Sequence, residues 1–250
     1  MQLTTLLRLR QLFLLASALA LVACGGGGGG GDSSSGSAET PPVPPPEAVA
    51  LTSAEAARFL SQATFGPSAA GIDDLVAMGL EPWLLDEFEK PASLHLEEVL
   101  SSFPADGIFY DERGQPLPEL VYLASDSFWE TAIEGDDQLR QRMAYALSQL
   151  LVVSAESDLN RAPQILAHYM DILTAGAFGN YRDLLQKVTY SPAMAIYLTY
   201  LRNEKPNAAL GRVPDENYAR ELLQLFTIGL VELNADGTPL KNPDGSQVEL

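Results

Sequence analysis

From Leu51 onward the chain is punctuated by residues that start and stop helices, and the apolar positions between them recur at helical spacing. Thr52-Ser53-Ala54-Glu55 fits a capping box, in which hydroxyl and carboxylate each satisfy a free backbone N–H, ahead of AARFLSQATF. Gly66-Pro67 is a stop, Ser68 can cap AAGIDDLVAMGL, and Pro82 suits the first turn of PWLLDEFEK. Residues 103–119 carry three prolines and read as a loop. Helical spacing returns over 120–131 and 137–153. In the second stretch Leu139, Met143, Ala146, Leu147 and Leu150 share a face, with Arg140, Gln141, Ser148 and Gln149 off it. Asn160 is placed to cap RAPQILAHYMDILTAG, Asn180 to cap YRDLLQKVTY, and Ser191-Pro192 to open AMAIYLTYL. The expectation is a mostly α, multi-helical domain. Near the C-terminal end N-x-D-G-[TS] occurs twice, eight residues apart, and Asp236-Gly237 and Asp244-Gly245 predict short β-hairpins there. A calcium loop is the sharper alternative, but the spacing lacks a third acidic ligand and a closing glutamate.

The domain is preceded by material of another kind. Arg8 and Arg10 come before an apolar run, Leu12 to Ala23, that is short for a bilayer span and has the layout of a secretory signal. The run closes in Leu21-Val22-Ala23-Cys24, which resembles a bacterial lipobox, and Cys24 is the only cysteine in the chain. Acylation at Cys24 is the reading adopted; the alternative is an ordinary A-x-A cleavage at Ala18-Leu19-Ala20. Gly25 after the cysteine resembles the pattern that sorts lipoproteins to the outer membrane. A lone cysteine also means that no internal disulfide can hold the fold, which must rest on its core. Residues 25–50, rich in Gly, Ser and Pro, read as a tether with a mean reach of roughly 25–30 Å, or alternatively as a proline-rich ligand. The expected organisation is a signal peptide over 1–23, a lipidated cysteine and tether over 24–50, and a helical domain over 51–250 that stops before its fold is complete.

With Arg8 and Arg10 removed, 33 acids face 13 bases, a balance of −20. Such a surface repels phosphate backbones and anionic headgroups, so nucleic acid is excluded as a partner and the membrane is reached through the lipid alone.

Two stretches could carry chemistry. In the helix 160–176, Gln164, His168 and Asp171 form a polar stripe; His168 with Asp171 could be an oriented base, or the stripe could simply be solvated. His95, between Leu94 and Leu96, is no better supported. The stretch PDENYARELLQLFTIGL, Pro214 to Leu230, is patterned more sharply. Asp215 can cap a helix from Glu216, Glu216 and Arg220 are four apart, Tyr218, Leu222, Leu225 and Phe226 make an apolar face, and Gly229 looks like a Schellman ending. Along one flank run Asn217, Arg220, Glu221 and Gln224. If buried they need partners, and Arg182 and Asp183 are candidates. The candidate catalytic set is therefore Glu216, Asn217, Arg220, Glu221, Arg182, Asp183 and His168. No metal site is named and the cofactor is unknown.

Five ordered blocks, LSQATFGPS (60–68), QLRQRMAYALSQLLVVS (138–154), AFGNYRDLL (177–185), SPAMAIYL (191–198) and ENYARELLQLFTIGL (216–230), resemble the bacterial family known as domain of unknown function 1800. The resemblance implies an exported, largely helical protein with no assigned reaction. Relatives are often encoded beside an exported family resembling sulfatases and alkaline phosphatases, which implies such a protein as a partner. Many relatives carry a Trp-His-x-His-like block where this chain has Leu147-Ser148-Gln149-Leu150, so histidine or metal chemistry imagined for them lacks its ligands here. Relatives usually continue beyond the point where this chain stops. Together these readings favour an outer-membrane lipoprotein that assists or scaffolds an exported partner. The alternative is an envelope or extracellular hydrolase with a Glu/Arg polar site, so whether the protein is an enzyme is left open.

Overall fold

The structure, a computed structural model, describes residues 50–249. The signal segment over 1–23, Cys24 and the tether as far as residue 49 lie outside the described residues. Among those described there are eleven α-helices and two short 3-10 turns.

Helices α1 (Ser53–Ala63), α2 (Ala69–Met78) and α3 (Leu80–Glu89) open the domain. The capping box forms as written: Thr52 Oγ1 accepts from the Glu55 amide at 3.3 Å, and Glu55 Oε2 accepts from the Thr52 amide at 3.0 Å. Ser68 caps α2 by accepting from the Gly71 amide. Ala56, Leu60, Ala63, Leu75 and Trp83 make a small core, with Phe59 edge-on to Trp83 at 5.5 Å. Helix α1 stops at Ala63, before the Gly-Pro stop, because Thr64 turns extended and returns its hydroxyl to the Leu60 carbonyl.

After α4 (Leu96–Ser101), the loop and α5 (Pro118–Val121) come α6 (Leu123–Glu134), α7 (Gln138–Leu150), α8 (Pro163–Gly176), α9 (Tyr181–Thr189), α10 (Pro192–Tyr197) and α11 (Asn217–Gln224). Helix α8 is the hub and packs against α4, α6, α7, α9 and α10. It can do so because it is buried on more than one side: Tyr169 and Leu173 face one core cluster, Ala167 packs in another with Val99 and Ala124, and Ile165, Leu166, Met170 and Ile172 pack at its edges. Around it lie Ala144, Leu151, Leu159, Leu184, Val188, Ala193 and Met194, and each fully buried Leu, Val or Met side chain contributes about 1.5–3 kcal/mol. Gly176 lets Leu184 of α9 pack close against α8, since a Cβ there would lie 2.8 Å from the Leu184 side chain.

Several expectations are corrected by the coordinates. Asn160 does not cap α8. It sits in a 3-10 turn, Asp158–Arg161, capped by Ser157, and α8 begins at Pro163 with no side-chain cap, where the proline itself leaves one N–H fewer to satisfy. The buried face of α7 is not the expected one. Met143 and Leu150 are 40 % and 45 % exposed, whereas Gln141 and Ala144 are buried in line with Asp137 and Leu151. A polar pair on the inward side misleads any assignment from hydrophobicity. Helix α11 starts at Asn217 and ends at Gln224, short of Gly229, although Gly229 does take the left-handed conformation (φ 86°).

The expected short β-hairpins are absent: the described residues contain no strand, only isolated bridges such as Val231 with Glu249, Leu233 with Pro239 and Lys241 with Gln247. The tight turns form, but the segments they join pair in a three-way ring instead of a ladder. The Glu232 amide donates to the Val248 carbonyl, Val248 to Leu240, and Leu240 back to Glu232, at 2.9, 3.0 and 2.8 Å. Each segment thus spends its hydrogen bonds on two neighbours, and Pro239 has no N–H with which to extend either pairing. No helix of the described residues is long and apolar enough to cross a membrane.

Candidate functional site

Of the charges singled out on α11, Glu216 and Arg220 face water. Glu216 and Arg220 form an i,i+4 ion pair at 2.5 Å with side chains 78 % and 52 % exposed, an arrangement that contributes a few tenths of a kcal/mol at most. The side chains of Asn217 and Glu221 are half-buried and make no hydrogen bond or ion pair among the described residues. Tyr218, Leu222 and Phe226 do face the core, but Leu225 is 61 % exposed. Arg182 and Asp183 lie in the first turn of α9, both exposed; the Asn180 side chain accepts from their amides at 2.9 and 3.4 Å. The tie between α9 and the α11 region runs through other atoms. Tyr181 donates to the Phe226 carbonyl at 2.7 Å, and Thr189 and Tyr218 share a hydroxyl contact at 2.7 Å. Two candidates do come together: His168 and Asp183 line one open groove between α8 and α9, with Lys187 and Tyr190.

Asp215 is better held than its neighbours. Its carboxylate accepts from the Thr199 hydroxyl at 2.5 Å and from the Asn217 amide at 2.9 Å, and its backbone makes two bonds to the Asn203 side chain. Those bonds hold its carboxyl below the usual range, the Thr199 hydroxyl first and the Asn217 amide second. Thr199 has φ 61°, a left-handed conformation that a β-branched residue rarely adopts, so this contact fixes a strained turn ahead of α11.

A cluster of buried polar groups lies elsewhere, between α3, α4, α6, α7 and α8. Asp137, 1 % exposed, accepts from the Ser93 amide at 2.9 Å and the Gln141 side chain at 3.1 Å, and Gln141 also donates to the Ser93 carbonyl. Glu87 accepts from the Lys90 ammonium and, at 3.2 Å, from the Leu139 amide in the first turn of α7, where a negative charge meets the positive end of the helix. Asp171 accepts from the amides of His95 and Leu96 at 2.6 and 3.3 Å and so caps α4 from another helix. The side chain of His168, exposed, takes no part.

His95 is fully buried, with Nδ1 3.1 Å from Ser127 Oγ. Ser127 gives its proton to Glu98 at 2.6 Å, so towards His95 it can only accept. That places the imidazole proton on Nδ1 and leaves Nε2 an acceptor without a partner. Burial pushes the His95 pKa down, opposed by the carboxylates of Asp171, Glu98 and Asp137 in that order. Serine, imidazole and carboxylate are thus in contact, but in an order that sends the serine proton to Glu98 directly. The group pins the segment after α3 to the bundle. Sequence reading passed over Asp137, Gln141, Ser127 and Glu87. The available signal was Asp137 and Gln141 one turn apart at the start of α7, each able to satisfy the other inside. Among the described residues no three His, Cys, Asp or Glu side chains are grouped to hold a metal ion.

The family model described as Protein of unknown function (DUF1800) matches residues 58–242, from the middle of α1 to the second D-G turn. The chain belongs to the DUF1800 family. No curated protein and no solved structure matches it. In this DUF1800 member the matched region covers all the helices from α2 onward and the whole buried polar group. The tract Leu147-Ser148-Gln149-Leu150 falls in the last turn of α7, with Ser148 and Gln149 on an aromatic cleft and Leu150 in solvent.

Proposed function

We propose that this DUF1800 protein is exported, lipid-anchored at the outer membrane, and accessory or scaffolding to an exported partner. Support for export and anchoring lies in the sequence: basic residues, an apolar run ending at Cys24, and a Gly/Ser/Pro spacer ahead of the first helix. The observation that carries the accessory role is the surface around α11. Leu223, Leu225, Ile228 and Leu230 are each more than half exposed, next to the solvent-facing Glu216–Arg220 pair. Apolar side chains set beside charges on an open surface suit a protein partner better than they suit chemistry that must exclude water. The partner expected is an exported protein of the sulfatase- and phosphatase-like kind.

The test has two arms in the native host. Cys24→Ser is expected to release the protein from the membrane fraction and abolish acyl labelling. Leu225→Glu with Ile228→Glu is expected to lose co-purification of one exported protein while the helical circular dichroism is kept. Undiminished co-purification sinks the accessory reading. If Glu221→Gln instead removes the cellular phenotype with partner binding intact, the hydrolase alternative takes its place.

A further inference from the structure

Helices α6, α7 and α8 line a cleft of about 290 Å³, near the lower end of the range typical of small-molecule pockets. Its aromatic wall is built before any ligand arrives. Phe128 stacks on Tyr145 at 5.9 Å with an interplanar angle of 28°, Trp129 stands edge-on to Phe128 at 5.1 Å, and Phe65 backs both Phe128 and Tyr145 at 5.7 and 5.9 Å. Leu166 and Met170 supply the aliphatic side, and Trp129, 56 % exposed, forms an edge open to solvent.

The polar groups here are few and neutral. Ser148 donates to the Tyr145 carbonyl at 2.7 Å and receives the Gln149 amide at 3.3 Å, which leaves the Gln149 carbonyl oxygen and one N–H unused. The hydroxyls of Ser125 and Tyr145 make no hydrogen bond among the described residues. The Tyr169 hydroxyl is committed to the Leu151 carbonyl at 2.6 Å, and burial raises its pKa, so it stays neutral. No Asp, Glu, Lys, Arg or His lines the cleft, in a chain whose formal charge is −18. An anion would meet no cation in the cleft and would be repelled on approach. A cation would compete with Arg142, whose guanidinium already lies 5.4 Å from the Tyr145 ring centre and 5.3 Å from that of Phe65.

We propose that this cleft is a binding site for an uncharged, ring-bearing small molecule, its ring against Phe128, Trp129 and Tyr145 and a polar substituent at Ser148 and Gln149. The site is independent of the α11 surface and of the lipid anchor.

The probe is N-phenyl-1-naphthylamine, uncharged and fluorescent, titrated into the full chain. One saturable site per chain is expected, with energy transfer from tryptophan that drops in Trp129→Phe. Ser125→Phe and Val152→Phe each push a ring into the cleft from an exposed edge and are expected to weaken binding at least tenfold, while Met143→Phe, outside the cleft, leaves it unchanged. The sulfonated relative 8-anilino-1-naphthalenesulfonate is expected to bind at least tenfold more weakly than the neutral probe. Non-saturable uptake, equal binding of the sulfonate, or unchanged affinity in both filled variants would each overturn the proposal. Circular dichroism shows that a variant is folded before its affinity is read.

Discussion

Replacing Asp171 separates a structural role from a chemical one. Its two carboxylate oxygens take the amides of His95 and Leu96, and α4, only six residues long, has no side-chain cap from its own N-cap residue. Hydrogen bonds to a charged acceptor are worth about 1.5–3 kcal/mol each, and the second, at 3.3 Å, belongs at or below the low end of that range. Asp171→Ala is therefore expected to cost about 3 kcal/mol, and Asp171→Asn, which keeps one acceptor oxygen, about half as much. With a urea dependence of about 2 kcal/mol per molar, the unfolding midpoint falls by roughly 1.5 M and 0.7 M. His168→Ala, at an exposed position with no partner on Asp171, is expected to stay within about 0.5 kcal/mol of the parent. Urea denaturation followed by circular dichroism gives the midpoints, and amide exchange at Leu96 reports the cap itself. A midpoint for Asp171→Ala within about 0.3 M of the parent would refute the reasoning. So would a His168→Ala loss as large as that of Asp171→Ala, which would restore the coupled pair.

His95 gives a pH dependence of definite sign. Its folded pKa lies below the ordinary value of 6.5, so as pH falls through 6.5 the unfolded chain takes up a proton that the folded chain refuses. Stability is expected to decline below pH 6.5 with a slope of up to about 1.4 kcal/mol per pH unit until the folded pKa is reached, and His95→Gln should remove that component from urea midpoints measured across the range. Gly135→Ala would put a Cβ 2.5 Å from the Thr131 carbonyl oxygen in the turn between α6 and α7; a loss of about 1–3 kcal/mol is expected, read by thermal unfolding. Tyr169→Phe strips the Leu151 carbonyl of its 2.6 Å donor in the core and is expected to cost about 1–3 kcal/mol in the same assay.

What could be read in advance depended on whether a residue acts on its own neighbours or on distant ones. The caps at Thr52, Ser68, Asn180 and Ser191 were legible because the groups they satisfy lie two or three residues away. Asn160 carried the same local signal and was outcompeted by Ser157 and by the proline that opens α8. The inward polar line of α7 was not legible, because Asp137 Oδ2 and Gln141 bond to Ser93, more than forty residues back. On α11 spacing could not tell which flank residues are covered: Glu216 and Arg220 are exposed, while Asn217 and Glu221 are half-buried. Asp171 was noticed as a polar oddity on an apolar helix, but its partners lie on a different helix, where spacing within α8 gives no hint of them.

The ring joining Glu232, Leu240 and Val248 bears on how the C-terminal segment can change over time. Each eight-residue unit secures its own tip, Asn234 with Asp236 and Thr238 in one, Asn242 with Asp244 and Ser246 in the other, at matching distances. Contact between units is made by backbone atoms. The ring closes on three segments, so an added or deleted unit would leave it open and a single-residue insertion would shift its carbonyls out of line. The spacing of eight residues between Glu232, Leu240 and Val248 should therefore be held more strictly than the identity of exposed tip residues such as Ala235 and Pro243.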